Sequence, residues 1–420
     1  MDMDHNDGDV EYTFPNIVNA ESKTFHWLLT LFLSLILPSV AAVLILAERF
    51  HTGVVLQIVS LAYCGFDVLF LSFPDGDGVE NRTSRGTGVF LLLLSGVTVF
   101  VGLINSGSNF ISSRDKSSLK WITQVSDVVV KKVHYLLSVL LVLTGWVKTC
   151  LAPAALFGFC REAHTGQCIA HGIMGSAFVW YGFVYAMILV VPYFKDPTIK
   201  QSQEFYDSLL MLAWGIVNTF TEHRWGQEWS MSDYQHTVNG ILWWAGGLLG
   251  LFLSRGGRRS FMPALMLIFT GWAMSEHSQH LEISTKIHYM FGLALIVGGV
   301  IRICEIAFLV KDQRSLPNAG INSFQLLTPF SLIEAGILFM GANEEQLELV
   351  LRLGSEHSAY ILLLTAAAFI VYLWQLLLLT LYLKLTQKND GFSLGGYSSV
   401  ENGNHSGVSN TEFELDNLSE

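Results

Sequence analysis

Eight histidines fall between residues 160 and 360: His164, His171, His223, His236, His277, His280, His288 and His357. Four stretches pair imidazole with carboxylate, namely Glu222-His223, Asp233 with His236, Glu276-His277-Ser278-Gln279-His280, and Glu356-His357. On a helix His277 and His280 share a face three residues apart, and Glu276 and His280 lie four apart, so either pair can converge on one ion or hydrogen-bond network. His288 follows after a short turn, and the preceding hairpin presents Glu222, His223, Asp233 and His236 at the same level. Several neutral imidazoles backed by acids suit zinc, iron or copper, or the iron of a haem, with the carboxylates fixing tautomer and ring orientation. The expected metal ligands are therefore His223, His236, His277, His280 and His288. Glu222, Asp233 and Glu276 are the candidates to orient them or accept protons, which is where catalytic residues would be sought. A plainer role competes: interfacial histidine, like Trp and Tyr, can rest an apolar body on lipid and a polar edge in headgroup water.

The elements carrying these residues must be membrane helices. Of 420 residues, 51% are hydrophobic and only 14% charged, and mean hydropathy is +0.44; soluble proteins carry about 25% charge. The net charge of −11 has the wrong sign for a polyanion, so the expected partner is the lipid bilayer and not nucleic acid. Apolar runs long enough for a bilayer core lie at 27–47, 52–73, 88–110, 133–156, 171–194, 205–222, 235–254, 261–280, 287–310, 324–341 and 357–384. The expected fold is an all-α polytopic bundle of about eleven transmembrane helices. It divides into an acidic outer tail (1–26), a four-span region (27–156), a seven-span region (157–388) and a disordered cytosolic tail (389–420). The acidic start lacks the basic region of a cleaved signal, so the first span is expected to remain as an anchor.

Lys and Arg concentrate in the loops that become cytosolic when the N-terminus is outside, around Arg114 to Lys132 and Arg255 to Arg259, as the positive-inside rule requires. That frame puts all eight mid-chain histidines at outer helix ends, and the C-terminus in the cytosol. Cys160 and Cys168 share an outer loop and could form a disulfide, and Asn81-Arg82-Thr83 is an outward glycosylation candidate.

Five charges fall within spans: Asp67, Lys148, Arg302, Glu305 and Glu334. Arg302 and Glu305, three apart, most simply neutralise each other, and Lys148 near an outer end can snorkel. Asp67 and Glu334 have no sequence-local partner, which makes them the candidates for a proton or cation path. Lys132-Val133-His134-Tyr135 with Gly145 and Cys150 repeats at an offset of 154 residues as Lys286-Ile287-His288-Tyr289 with Gly299 and Cys304. The two helices would point in opposite directions, as in inverted-repeat transporters, though convergent packing gives the same pattern. His51 and His134 could form a second, cytosolic pair. Gly240 to Gly250, with Trp243 and Trp244, suits close helix packing. Zincin and phosphate-loop motifs are absent from the sequence.

The segments Thr221-Glu222-His223-Arg224, Asp233-Tyr234-Gln235-His236-Thr237, Gly240-Ile241-Leu242-Trp243-Trp244, Thr270-Gly271-Trp272-Ala273-Met274 and Phe339-Met340-Gly341-Ala342-Asn343 resemble the fungal YTP type of multi-pass membrane proteins over roughly residues 165–385. The resemblance implies a polytopic integral membrane protein, in a family likened loosely to electron-transport proteins, and supplies no mechanism. The histidine spacing is also similar to that of a smaller animal family of multi-span proteins. The leading expectation is an outer histidine and carboxylate cluster binding a transition metal or haem, for electron transfer or metal-dependent chemistry. An ion or solute transporter and a noncatalytic membrane scaffold are the alternatives.

Overall fold

The computed structural model describes residues 20–71, 82–112, 120–160, 165–191, 201–223, 226, 228–276, 279, 281–310 and 321–386. Asn81, His164, His277 and His280 lie outside them, as do both tails. Every regular element among the described residues is helical. In chain order these are α1 (Ala20–Thr30), a π-helical turn (Leu31–Ile36), α2 (Leu37–Leu46), α3 (Phe50–Phe70), α4 (Arg82–Ser112), α5 (Lys120–Phe157), α6 (Thr165–Val190) and α7 (Gln203–Thr221). They continue with α8 (Met231–Leu253), α9 (Met262–Ser275), α10 (Glu282–Cys304) with a π-helical turn (Glu305–Val310), α11 (Leu327–Met340), α12 (Glu344–Arg352) and α13 (His357–Thr386).

Eleven helical rods thus stand where the eleven apolar runs lie. Eight are long and apolar enough to cross a bilayer, and α9 is apolar but short. The departures are α7, α8 and α9. The three pack chiefly on one another and on α10; α7 and α8 carry polar residues such as Glu204, Asp207, Asn218, His236 and Asn239 where a lone span would need Leu, whereas α9 falls short in length alone. The short amphipathic α12, capped by Asn343, was not expected. Exposed Leu69, Phe70, Leu362 and Ile370 point outward as a lipid-facing surface needs.

In the N-terminal bundle of α1 to α5, a proline sets the closest contact. Pro38 has no N–H, which frees the Ser34 carbonyl four residues earlier, and the helix opens into the π turn there. Gly145 of α5 rests on that carbonyl: a Cβ on Gly145 would fall 1.9 Å from the Ser34 oxygen. Ser60 donates to the neighbouring Leu33 carbonyl at 2.8 Å. Polar side chains then hold the helices together, with Thr30 against Tyr63 at 2.9 Å and Gln57 donating to Ser138 at 2.9 Å. His134 is fully buried and bonds Gln57 at 3.0 Å, whereas His51 is exposed; they do not form a pair of ligands.

The C-terminal bundle buries Phe291, Ile287, Leu295, Leu332, Ile333 and Leu338 at its centre. Its antiparallel seams are made by glycine: Gly175 on Gly336, Gly215 on Gly240, and Gly271 on Gly292, where a Cβ at either would meet the other's carbonyl oxygen at 2.4 and 2.3 Å. Gly247 abuts Leu212 and Gly250 abuts Ser208, so the Gly240 to Gly250 stretch serves packing. These contacts run successive helices antiparallel. The start of α6, the end of α7, the start of α8, the end of α9 and the start of α10 therefore share one end of the bundle, here the histidine end. The start of α7, the Arg255–Arg259 segment and the end of α10 share the other, the arginine end.

Neither backbone at these seams can yield to a methyl group. Gly145→Ala is expected to destabilise the detergent-solubilised protein at or above the upper end of the about 1–3 kcal/mol typical of overpacking, measured as lower thermal stability. Gly96→Ala, which meets nothing within 4 Å, should leave it unchanged.

Candidate functional site

At the histidine end the helices part around a cleft of about 1440 Å³. His171 and Met174 of α6, Glu222 at the end of α7, Asp233, His236 and Asn239 of α8, Met274 and Glu276 at the end of α9, His288 of α10, Phe339 of α11 and Glu344 of α12 all line it. The sequence had not assigned His171 as a ligand. It lies flat on Phe339, centroids 4.5 Å apart, and edge-on to His288 at 5.8 Å. The Nδ1 of His171 lies 2.8 Å from the Gln167 carbonyl, and that of His288 lies 2.9 Å from the Ser284 carbonyl. A carbonyl only accepts, so Nδ1 is the donor in both rings, the backbone hydrogen bond that commonly orients a metal-ligating imidazole.

The α7–α8 hairpin is ordered by its own polar groups. Ser230 and Asp233 form a reciprocal capping box at the start of α8. Asp233 also lies 3.3 Å from Nδ1 of His223, and the His223 ring stacks on Trp229 at 4.0 Å. The Ser230 N–H first, and His223 after it, hold the Asp233 carboxyl below its usual range. Asp233 is thus engaged in shaping the hairpin, and His223 stands behind it and does not line the cleft, a departure from its expected role as ligand. Glu222 lies 3.9 Å from Nδ1 of His236. Burial first, and the nearby Asp233 charge second, push the Glu222 carboxyl above its usual value. Gln235 donates to the Ala273 carbonyl at 3.0 Å and Trp243 to Thr270 at 2.7 Å, which fixes α8 on α9.

Among the described residues no three His, Cys, Asp or Glu side chains stand close enough to hold one ion. A metal site here would draw on His277 or His280, which lie outside the described residues. Glu276 and Gln279, which neighbour them in the chain, line the cleft. Glu356 and His357 are exposed at the start of α13 and do not line it.

Residues 144–383 match the family model described as "Protein YTP1-like, C-terminal". Protein YTP1 of Saccharomyces cerevisiae is 54% identical over 421 residues, which cover 100% of this chain and 89% of that one. The chain belongs to the YTP1-like family. Uncharacterized membrane protein C3B8.06 of Schizosaccharomyces pombe is 28% identical over 51% of each chain. Uncharacterized membrane protein YCR061W of S. cerevisiae is 28% identical over 35% of this chain and 27% of its own. No solved structure matches. The cleft and the arginine end both fall inside the YTP1-like region.

The intramembrane charges are placed differently from the sequence reading. Lys148 does not snorkel: it is 2% exposed, with Nζ 3.8 Å from Asp67 and 3.2 Å from the Ser84 carbonyl. Asp67 also accepts from Nε2 of His26. The Asp67 carboxylate, which had no partner in its own helix, is thereby matched by the His26 imidazole from α1 and the Lys148 ammonium from α5. Glu334 is half-buried and accepts from Thr365 at 3.2 Å, between α11 and α13. Arg302 does not simply neutralise Glu305 at 2.7 Å; it also reaches Glu204 of α7 at 2.6 Å. Cys160 and Cys168 are joined by a disulfide, Cα atoms 5.4 Å apart, and the Cys160 N–H donates to Glu345, tying the α5–α6 connection to α12.

The His26, Asp67 and Lys148 group has the geometry of a structural ion cluster. Lys148→Met leaves a buried carboxylate short of a partner and is expected to lower stability by about 3–5 kcal/mol. The double change Asp67→Asn with Lys148→Met should recover most of the loss in the same thermal unfolding measurement; a loss equal to the sum of the two single changes would refute the pairing.

Proposed function

We propose that this multi-pass membrane protein binds a transition-metal cation in the cleft at the histidine end. The observation that carries the reading is the composition of the cleft wall. His171, His236 and His288 converge there with Glu222, Asp233, Glu276 and Glu344, and among the described residues no lysine or arginine lines it. A wall rich in carboxylates attracts positive charge, and imidazole is a common ligand for transition metals. His277, His280 and His288, joined by His236, are the proposed ligands. Glu222 steadies His236, and Glu276 adds charge at the rim. His223 acts through Asp233 by holding the hairpin. Bound iron, alone or in haem, would give a one-electron carrier, and zinc would give a metal-dependent protein.

The purified full-length protein in detergent, washed with a mild chelator, is expected to keep close to one metal per chain by elemental analysis. That metal should be lost from the His277→Ala/His280→Ala variant and from His288→Ala. Glu222→Gln should retain the site with about 10–100-fold weaker affinity. The absorbance spectrum identifies haem by a Soret band absent from the double variant. Equal metal content in wild type and both histidine variants would refute the assignment.

A further inference from the structure

Three cavities are stacked along α6, α7 and α9. The cleft shares Met174, His236, Asn239, Met274 and Phe339 with a middle cavity of about 20 Å³. One turn deeper, a third cavity of about 20 Å³ lies among Tyr181, Tyr185, Glu204, Asp207, Arg302 and Thr328. The step between the two small cavities runs from Phe178 to Tyr181 on α6, from Trp214 to Met211 on α7 and from Thr270 to Leu267 on α9. Three residues of helix make that about 4.5 Å. Each small cavity is the size of one water molecule.

Among the described residues, the acids around the deep cavity outnumber the cations by one. Glu204, Asp207 and Glu305 face two guanidiniums: Arg302 holds Glu204 at 2.6 Å and Glu305 at 2.7 Å, and Arg259 holds Glu204 at 3.0 Å. Asp207, 8% exposed, accepts from the Tyr181 hydroxyl and takes part in no ion pair among the described residues. Tyr185 and Gln325 donate to Glu305 at 3.3 and 3.0 Å, and Gln203 accepts from Arg302 at 3.3 Å. The cavity residues from α9 (Pro263, Ala264 and Leu267) and α11 (Thr328 and Leu332), with Ser260 before α9, add no charge. Oε2 of Glu204 and Oγ1 of Thr328, on residues each 1% exposed, line this cavity without a hydrogen-bond partner among the described residues. A third ionised carboxylate here would leave net charge in an apolar interior, which a single proton removes.

We infer that Asp207 is a proton-binding site within the membrane, and that its proton exchange is coupled to passage of the cation held in the cleft. The coupling rests on the cation-binding reading above; the protonation of Asp207 does not. The step is one O–H bond: the carboxylate takes a proton from water reaching it on one side of the membrane and gives it up to water on the other. Tyr181 stabilises the ionised form by donating to it, so the site can release the proton as well as bind it.

Two measurements on the full chain separate these claims. Infrared difference spectra against pH should show a protonated carboxyl C=O stretch in the wild type at neutral pH. The band should be missing in Asp207→Asn, and in Tyr181→Phe it should persist to higher pH, because the carboxylate has lost its donor. No such band in the wild type, or a band unaltered in both variants, overturns the site. In liposomes, an imposed pH gradient should drive Zn²⁺ accumulation by the wild type. Asp207→Asn should fall to the level of empty liposomes while binding Zn²⁺ in detergent as the wild type does. Zn²⁺ binding without gradient-driven accumulation overturns the coupling. No Zn²⁺ binding by the wild type overturns the coupling together with the cleft reading, and the infrared result then stands by itself.

Discussion

Arg302 is 4% exposed near one end of an apolar bundle, and a buried guanidinium persists only if acids come to meet it. Glu204 comes from the first turn of α7, Glu305 from the π turn that follows α10, and Arg259 joins from the segment before α9. The interior faces of three chain segments are thereby fixed relative to one another. Replacing such a network by apolar side chains is often neutral for stability. Its contribution is therefore position more than strength: α7 can neither slide nor rotate on α10 without stranding a charge. The π turn belongs to the same constraint, since the helix opens where Glu305, fully buried, takes its place beside Arg302.

Glycine seams carry that fixed arrangement along the membrane. Apolar attraction between helices counts for little inside lipid, so close backbone approach and side-chain hydrogen bonds must supply the contact. Gly271 on Gly292 and Gly215 on Gly240 bring backbones within reach of one another's carbonyls, and Trp243 on Thr270 bridges α8 to α9. The arginine end closes down to a water-sized cavity, and the histidine end spreads into the cleft. One rigid set of helices thus presents two chemically opposite ends.

Much of this was legible in the sequence, and the parts that were not share a physical reason. Apolar runs located the helical rods because lipid-facing residues are hydrophobic whatever they pack beside. The gathering of His171, His236 and His288 at one end followed from alternating helix direction. Partnership across helices was not legible. Lys148 looked like a snorkelling residue because its acid, Asp67, belongs to a different helix, and Arg302 looked self-contained because Glu204 lies 98 residues earlier. His223 and Asp233 read as ligand and base because their types suit that chemistry. Only the stack on Trp229 and the cap with Ser230 show the pair engaged in shaping the hairpin. His171 carried a faint signal, the same side and level as the other imidazoles, without an acid beside it in the chain.

The charge at the two ends bears on what the bundle can do. Among the described residues the cleft wall carries acids and no lysine or arginine, and Asp233 is already engaged by the capping box. At the other end, among the described residues, the acids outnumber the guanidiniums by one, and Asp207 is the one not paired with an arginine. Both excesses are borne by the same three helices: α7 ends in Glu222 and begins with Glu204 and Asp207, and α6 and α9 line both cavities.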